Sequence, residues 1–334
     1  MSGPRTTLKD KGGPTAAVRM SMAGRNDFDG RLQKKWLRFR TQYALHLMML
    51  PGLLVFLLFE YGPMYGLTIA FRDYSILQGI AESPWVGFHH FRRFLSDRNF
   101  WVIIRNTLGI NVLGLLMGFP APLLFALFLN EIRNQPFKRV TQTISYLPHF
   151  VSWAIFGGLV INLLSVDTGV VNRALVGIGL LESPVNFMAR PEYFWFIAVV
   201  AQVLKGFGFG AILYLAAMAG IDPNLYEAAF VDGAGRFRRM WHITLPGVMG
   251  TAVILFVLSI ANFLNTGFEQ IWVLQNRLNV SMSETIDTYV YKIGLQQLRF
   301  SYATAVGLLR SGLAVALVYG SNWLAKRVTE KGLF

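Results

Sequence analysis

Long apolar runs separated by short polar stretches set the rhythm of this chain. Six of them stand out: Tyr43 to Gly62, Arg105 to Asn130, Val140 to Leu164, Tyr193 to Ala219, Leu245 to Phe268 and Ala303 to Ala325. Each has roughly 20 residues or more, and a helix of that length, rising about 1.5 Å per residue, crosses a hydrocarbon layer of about 30 Å. In lipid the backbone must satisfy its own hydrogen bonds, so the runs are expected to be helices. One such run could be the core helix of a soluble protein. Six in succession, with polar connectors between them, predict an all-α integral membrane protein with six transmembrane helices.

Composition supports this. Of 334 residues, 54% are hydrophobic and only 15% charged, too few to clothe a soluble core of this size. The same figures exclude an intrinsically disordered chain, a collagen and a coiled coil. Charge then orients the spans. There are 31 Lys and Arg against 18 Asp and Glu, a net +13, and cationic residues accumulate in cytoplasmic loops. With the amino terminus inside, 19 of the 31 cations are cytoplasmic and nine are on the opposite side, while Arg105, Lys205 and Arg310 fall within spans. Both termini are therefore expected in the cytoplasm. The excess charge follows from insertion and implies no nucleic acid partner.

Residues 1–42 combine Lys, Arg, Gly, Ser, Thr and Pro without a long apolar run. They are expected to form a flexible basic tail beside anionic headgroups, with 43–334 as the transmembrane domain. The first apolar run lies too far in, and is too long, for a cleaved signal peptide. The chain has no cysteine, so disulfides, thiolate chemistry and sulfur-ligated metals are excluded.

Several chemical signatures are missing. None of the lysines follows a glycine, so the phosphate-cradling G-x-x-x-x-G-K-[ST] loop is absent. His46, His89, His90, His149 and His242 lack the H-E-x-x-H spacing that would set two imidazoles on one helical face around zinc, and no metal site is expected. No G-x-S-x-G elbow is present either.

The polar stretch after the fourth run is more informative. Asp222 is suited to cap a helix and Pro223 to its first turn, where a missing N–H costs nothing. Leu225, Ala228, Ala229 and Asp232 fall on one helical flank, and Gly233 is placed to end the helix in a left-handed conformation. The expected result, over 222–246, is a short helix, a Gly-x-Gly corner and a second, basic helix leading into span five.

This loop also follows a fixed pattern: Glu227-Ala228-Ala229, three residues, Gly233, nine residues, Ile243, one residue, Leu245-Pro246. It resembles the signature loop of bacterial ABC importer permeases at all seven positions. The stretches Pro63 to Phe71, Ser83 to Gly87, Asn106 to Leu108, Tyr146 to Trp153 and Thr285 to Tyr291 are similar to the subgroup that imports oligosaccharides or polysaccharide fragments. The resemblance runs from about Tyr43 to the carboxyl terminus.

It implies a division of labour in the bacterial cytoplasmic membrane. This chain would pair with a second, homologous permease, two ATPase subunits and an extracytoplasmic solute-binding protein. MgATP would be bound by the ATPase subunits, leaving this chain without a cofactor and without covalent chemistry. Glu227, Ala228, Ala229, Gly233, Ile243, Leu245 and Pro246 would form the coupling element on the ATPase.

Polar groups inside spans are costly and so are candidates for the transport path. Lys205, Arg310, Asn262, Asn265 and Gln270 are the residues expected there, Asn262 and Asn265 as a pair three apart on one helical face. If Lys205 and Arg310 face the path, a uronate-containing cargo follows; pairing with a partner subunit's carboxylate is the alternative. Arg105, near a span end, is expected to snorkel to headgroups. The competing functions are an ABC permease for a non-carbohydrate solute, such as an amino acid or phosphate, and an ion-coupled secondary transporter. The latter needs carboxylates at mid-membrane, and the only acidic residue in a span is Glu60, at its end. A membrane-bound enzyme is disfavoured because no polar catalytic groups cluster.

Overall fold

The computed structural model describes residues 42–329. The expected basic tail, but for Gln42, lies outside the described residues. Two units divide the chain at Gly66. The first holds helix α1 (Tyr43–Phe56), which continues through a π-helical turn at Leu57–Tyr61. No α1 side chain is buried, and the stretch to Phe71 has a mean hydropathy of 1.8. Such a surface requires lipid or another polypeptide around it.

In the second unit, helix α2 (His89–Leu95) is a short connector helix. Spans two to six follow as α3 with α4 (Phe100–Gly118, Pro120–Asn130), α5 with α6 (Gln135–Phe150, Trp153–Leu163), α7 (Phe194–Ala219), α10 (Leu245–Ala261) and α13 (Phe300–Thr329). Among the described residues, five stretches are long and apolar enough to cross a membrane, and α5 with α6 makes a sixth, bent by 107°. Spans two, four, five and six begin within a few residues of their expected starts or earlier. The third departs: expected as one straight helix, it is broken. Pro148 disrupts the last turn of α5, and the Ser152 hydroxyl caps α6 by accepting from the Ile155 amide at 3.4 Å.

The fifth also ends early. α10 stops at Ala261, and Gly267, in the left-handed region at φ +69°, reverses the chain into a separate helix, α11 (Phe268–Leu274). Asn262 and Asn265 therefore sit in a turn and not on one helical face. Beyond it α12 (Ile286–Tyr291) opens with Thr285 and Thr288 as its capping box.

Small residues bring these helices together. A side chain at Gly208 on α7 would overlap the carbonyl of Ser145 on α5, and a Cβ at Gly157 on α6 would lie 2.5 Å from Val273 of α11. Tyr214 and Met218 of α7 pack with Leu127 of α4, and with Met240 and Val248 around the start of span five. A second core at the far end joins Phe94, Ile103, Ile286, Tyr289 and Tyr302. There Asp97 accepts hydrogen bonds from the hydroxyls of Tyr289 at 3.1 Å and Tyr302 at 3.2 Å.

Candidate functional site: a coupling elbow and a polar groove

The loop after span four folds into helices α8 (Pro223–Val231) and α9 (Arg236–Arg239). Asp222 caps α8 by accepting from the Asn224 amide at 3.0 Å. Gly233 adopts φ +75°; its amide donates to Phe230 at 3.1 Å, and that of Ala234 reaches back to Ala229 at 2.9 Å. This 5→2 and 6→1 pair is the Schellman closure, which requires the left-handed residue that glycine supplies without strain.

The elbow is braced at its base. The Tyr226 hydroxyl shares a 2.9 Å hydrogen bond with that of Thr244, which is 1% exposed. A Cβ on Gly247 would lie 2.7 Å from Ile221, so the end of span four is locked against the start of span five. The seven motif positions consequently divide. Glu227, Ala228, Gly233 and Pro246 are exposed, whereas Ala229, Ile243 and Leu245 are half-buried, Leu245 against the core beneath. Around the exposed set, Phe230, Val231 and Phe237 are 69%, 85% and 75% exposed. An apolar patch on a connector that also carries Arg236, Arg238 and Arg239 belongs against another protein.

A second feature lies among spans two, four and five. A groove of about 340 Å³ is lined by Asn111, Gln202, Ser259, Asn262 and Asn265, with the rings of Phe119, Phe207 and Phe263. Gly114, Gly118 and Gly206 complete its walls, their missing side chains leaving the space open. No charged residue lines it. The Asn111 side-chain nitrogen is buried without a hydrogen-bond partner, an amide that a hydroxylated ligand could satisfy. Asn111 and Gln202 escaped the sequence reading because single amides in apolar runs look like helix-bridging residues. Two small-x-x-x-small pairs, Gly114 with Gly118 and Gly206 with Gly210, were the available signal.

The other residues expected on the path all make contacts within the chain. Gln270 is 2% exposed and donates to the Ala198 carbonyl at 2.5 Å, joining α11 to α7. Lys205 donates to the His149 carbonyl at 2.8 Å and sits 5.3 Å from the Trp153 ring centroid, so its charge stabilises the exposed carbonyl end of α5 at the break in span three. Arg310 pairs with Asp287 at 2.5 Å and donates to the Leu264 carbonyl at 3.1 Å; Asp287 also accepts from Thr266 at 2.9 Å. Arg105, exposed near the outer end of its span, donates to the Ser281 carbonyl at 2.8 Å and to the Asn106 side chain. Each span cation is thus satisfied within the chain. Arg310→Gln is expected to lower uptake of neutral and acidic oligosaccharides by the same factor, because it releases α12 from span six; a selective loss of acidic uptake would assign Arg310 to cargo instead.

A family model described as a binding-protein-dependent transport system inner membrane component matches residues 110–330. Protein LplB of Bacillus subtilis is 47% identical over 87% of this chain and 91% of its own length. The polygalacturonan/rhamnogalacturonan transport system permease protein YteP of the same organism is 44% identical over 88% and 91%. A crystal structure of a bacterial ABC transporter involved in the import of the acidic polysaccharide alginate contains a chain that superimposes with a TM-score of 0.81. That chain is 40% identical, with 89% of this chain and 99% of that one covered.

Proposed function

The chain belongs to the binding-protein-dependent transport system inner membrane component family, and from that premise we propose that it imports oligosaccharides, uronate-containing ones among them. It is a permease subunit and not an enzyme; ATP hydrolysis belongs to separate ATPase subunits, and a second permease and a solute-binding protein complete the importer. The relatives named for polygalacturonan and alginate support the carbohydrate class.

The observation that carries the coupling role is the braced elbow with its exposed Glu227, Ala228 and apolar rim. ATPase closure pushes on α8, and the Tyr226–Thr244 bond together with the Ile221–Gly247 contact passes the displacement to spans four and five as a rigid body. Those spans form two walls of the groove. The elbow and both termini then face the cytoplasm, the side on which 19 of the 31 cations fall.

The groove suits cargo that must bind and leave. Amides and a hydroxyl match sugar hydroxyls, and the phenyl rings match the apolar faces of pyranoses. Asn262→Ala and Gln202→Ala are each expected to lower ATP-driven uptake about fivefold, the worth of roughly one hydrogen bond of 1 kcal/mol. Stimulated ATP hydrolysis should stay within a factor of two.

The test of the function is accumulation of labelled oligosaccharide in proteoliposomes holding this chain, its partner permease and the ATPase pair, with the loaded binding protein outside. Accumulation that requires MgATP and the binding protein is expected. Uptake driven by an ion gradient without ATP would overturn the assignment.

A further inference from the structure

A separate pocket of about 320 Å³ lies between α11 and the turn that follows α12, lined by Trp272, Gln275, Asn276, Arg277, Val280 and Lys292. It sits at the far end of span five from the elbow, since α10 has 17 residues between them, a rise of about 25 Å.

One wall is the Trp272 indole. Phe268 is stacked on it with centroids 5.6 Å apart, Tyr291 meets it edge-on at 4.8 Å, and the Lys292 ammonium stands 5.9 Å from its centroid, so the ring is held in place. The floor is polar and already satisfied. The Lys292 ammonium donates to Glu284 at 2.6 Å and to Gln275 at 2.7 Å, and the Gln275 amide donates to Ser283 at 2.9 Å. Asn276 donates to the Met188 carbonyl at 2.9 Å.

Arg277 differs. It is exposed at the rim and has neither hydrogen bond nor ion pair among the described residues. Since Glu284 balances Lys292, Arg277 supplies an uncompensated positive charge beside a fixed aromatic face. A hexuronate matches both features: the apolar C–H face of its pyranose ring lies on the indole, and its carboxylate takes two parallel hydrogen bonds from a guanidinium.

We propose that this pocket is an entry subsite for a uronate residue of the incoming chain. Acidic and neutral cargo are then distinguished at the mouth, by Arg277, and not in the uncharged groove. The proposal rests on the oligosaccharide assignment above.

Its test is direct binding of tetragalacturonate, and of the same tetramer with its carboxyls reduced to alcohols, to the complete complex in nanodiscs without binding protein. The acid is expected to bind the wild type at least fivefold more tightly than the reduced form. Arg277→Gln should remove that difference, Arg277→Lys should keep part of it, and Trp272→Ala should weaken both ligands. An acid preference that survives Arg277→Gln, or none in the wild type, overturns the subsite; ATP-driven uptake by the same wild-type complex then decides separately whether the oligosaccharide assignment stands.

Discussion

Replacing Gly233 with proline is expected to leave the protein inserted in the membrane while lowering ATP-driven uptake by at least a hundredfold. Proline fixes φ near −65°, whereas this position sits at +75°, and it removes the amide that closes the helix onto Phe230. Both changes act on an exposed corner, away from the core formed by Leu127, Tyr214, Met240 and Val248, so the bundle itself is spared. Glu227→Lys should produce the same transport defect by another route, reversing a charge on the exposed docking face without altering the helix. ATPase subunits should co-purify poorly with either variant. Tyr226→Phe keeps the elbow's shape and loses only the hydroxyl that bonds Thr244, so a partial defect of about fivefold, with normal ATPase co-purification, separates transmission of the stroke from docking. Normal uptake by both Gly233→Pro and Glu227→Lys would contradict the docking role.

Gly208→Val is expected to destabilise the bundle strongly enough that little folded protein accumulates. A Cβ there meets the carbonyl oxygen and carbon of Ser145, which are backbone atoms of a helix and cannot swing aside as a side chain would. Ser145 is further committed through its hydroxyl, which donates to Thr141 at 2.7 Å. Accommodating valine would mean separating α5 from α7, and overpacking of this kind costs about 1–3 kcal/mol or more. Gly208→Ala should show a lowered thermal midpoint by fluorescence-detected size exclusion, and the valine variant should be degraded or aggregated. Gly206→Ala, two residues away with open space around its Cα, should behave as wild type for stability. Equal midpoints for Gly208→Ala and Gly206→Ala would show that the close approach of α5 and α7 is not needed.

Spans and elbow were legible in the sequence because each rests on local chemistry. Hydropathy marks the runs, Asp222 and Pro223 mark the start of α8, and Gly233 marks its end. What escaped depends on partners far along the chain. Nothing near Arg310 announces Asp287, and nothing near Lys205 announces the His149 carbonyl, 56 residues earlier. A uniformly apolar helix likewise gives no sign of which face is lipid and which is groove, so Gln270 and Asn262 looked alike. Gln270 lies buried between helices, while Asn262 opens onto the groove. The break in span three had a local cue in Pro148, but proline is tolerated in transmembrane helices, and its effect is decided by Ser152 and Lys205 together.

The central claim is that α8 docks on an ATPase subunit at the cytoplasmic face. The natural chain contains no cysteine, so Ala228→Cys introduces a unique thiol on the exposed side of α8. In inverted membrane vesicles bearing the whole importer, a thiol-attached photo-reactive cross-linker on this residue should join it to the ATPase subunit on illumination, and a membrane-impermeant thiol label should reach it there but not in right-side-out vesicles. Labelling from the outer side, or no cross-link to the ATPase in a transport-competent complex, would contradict it.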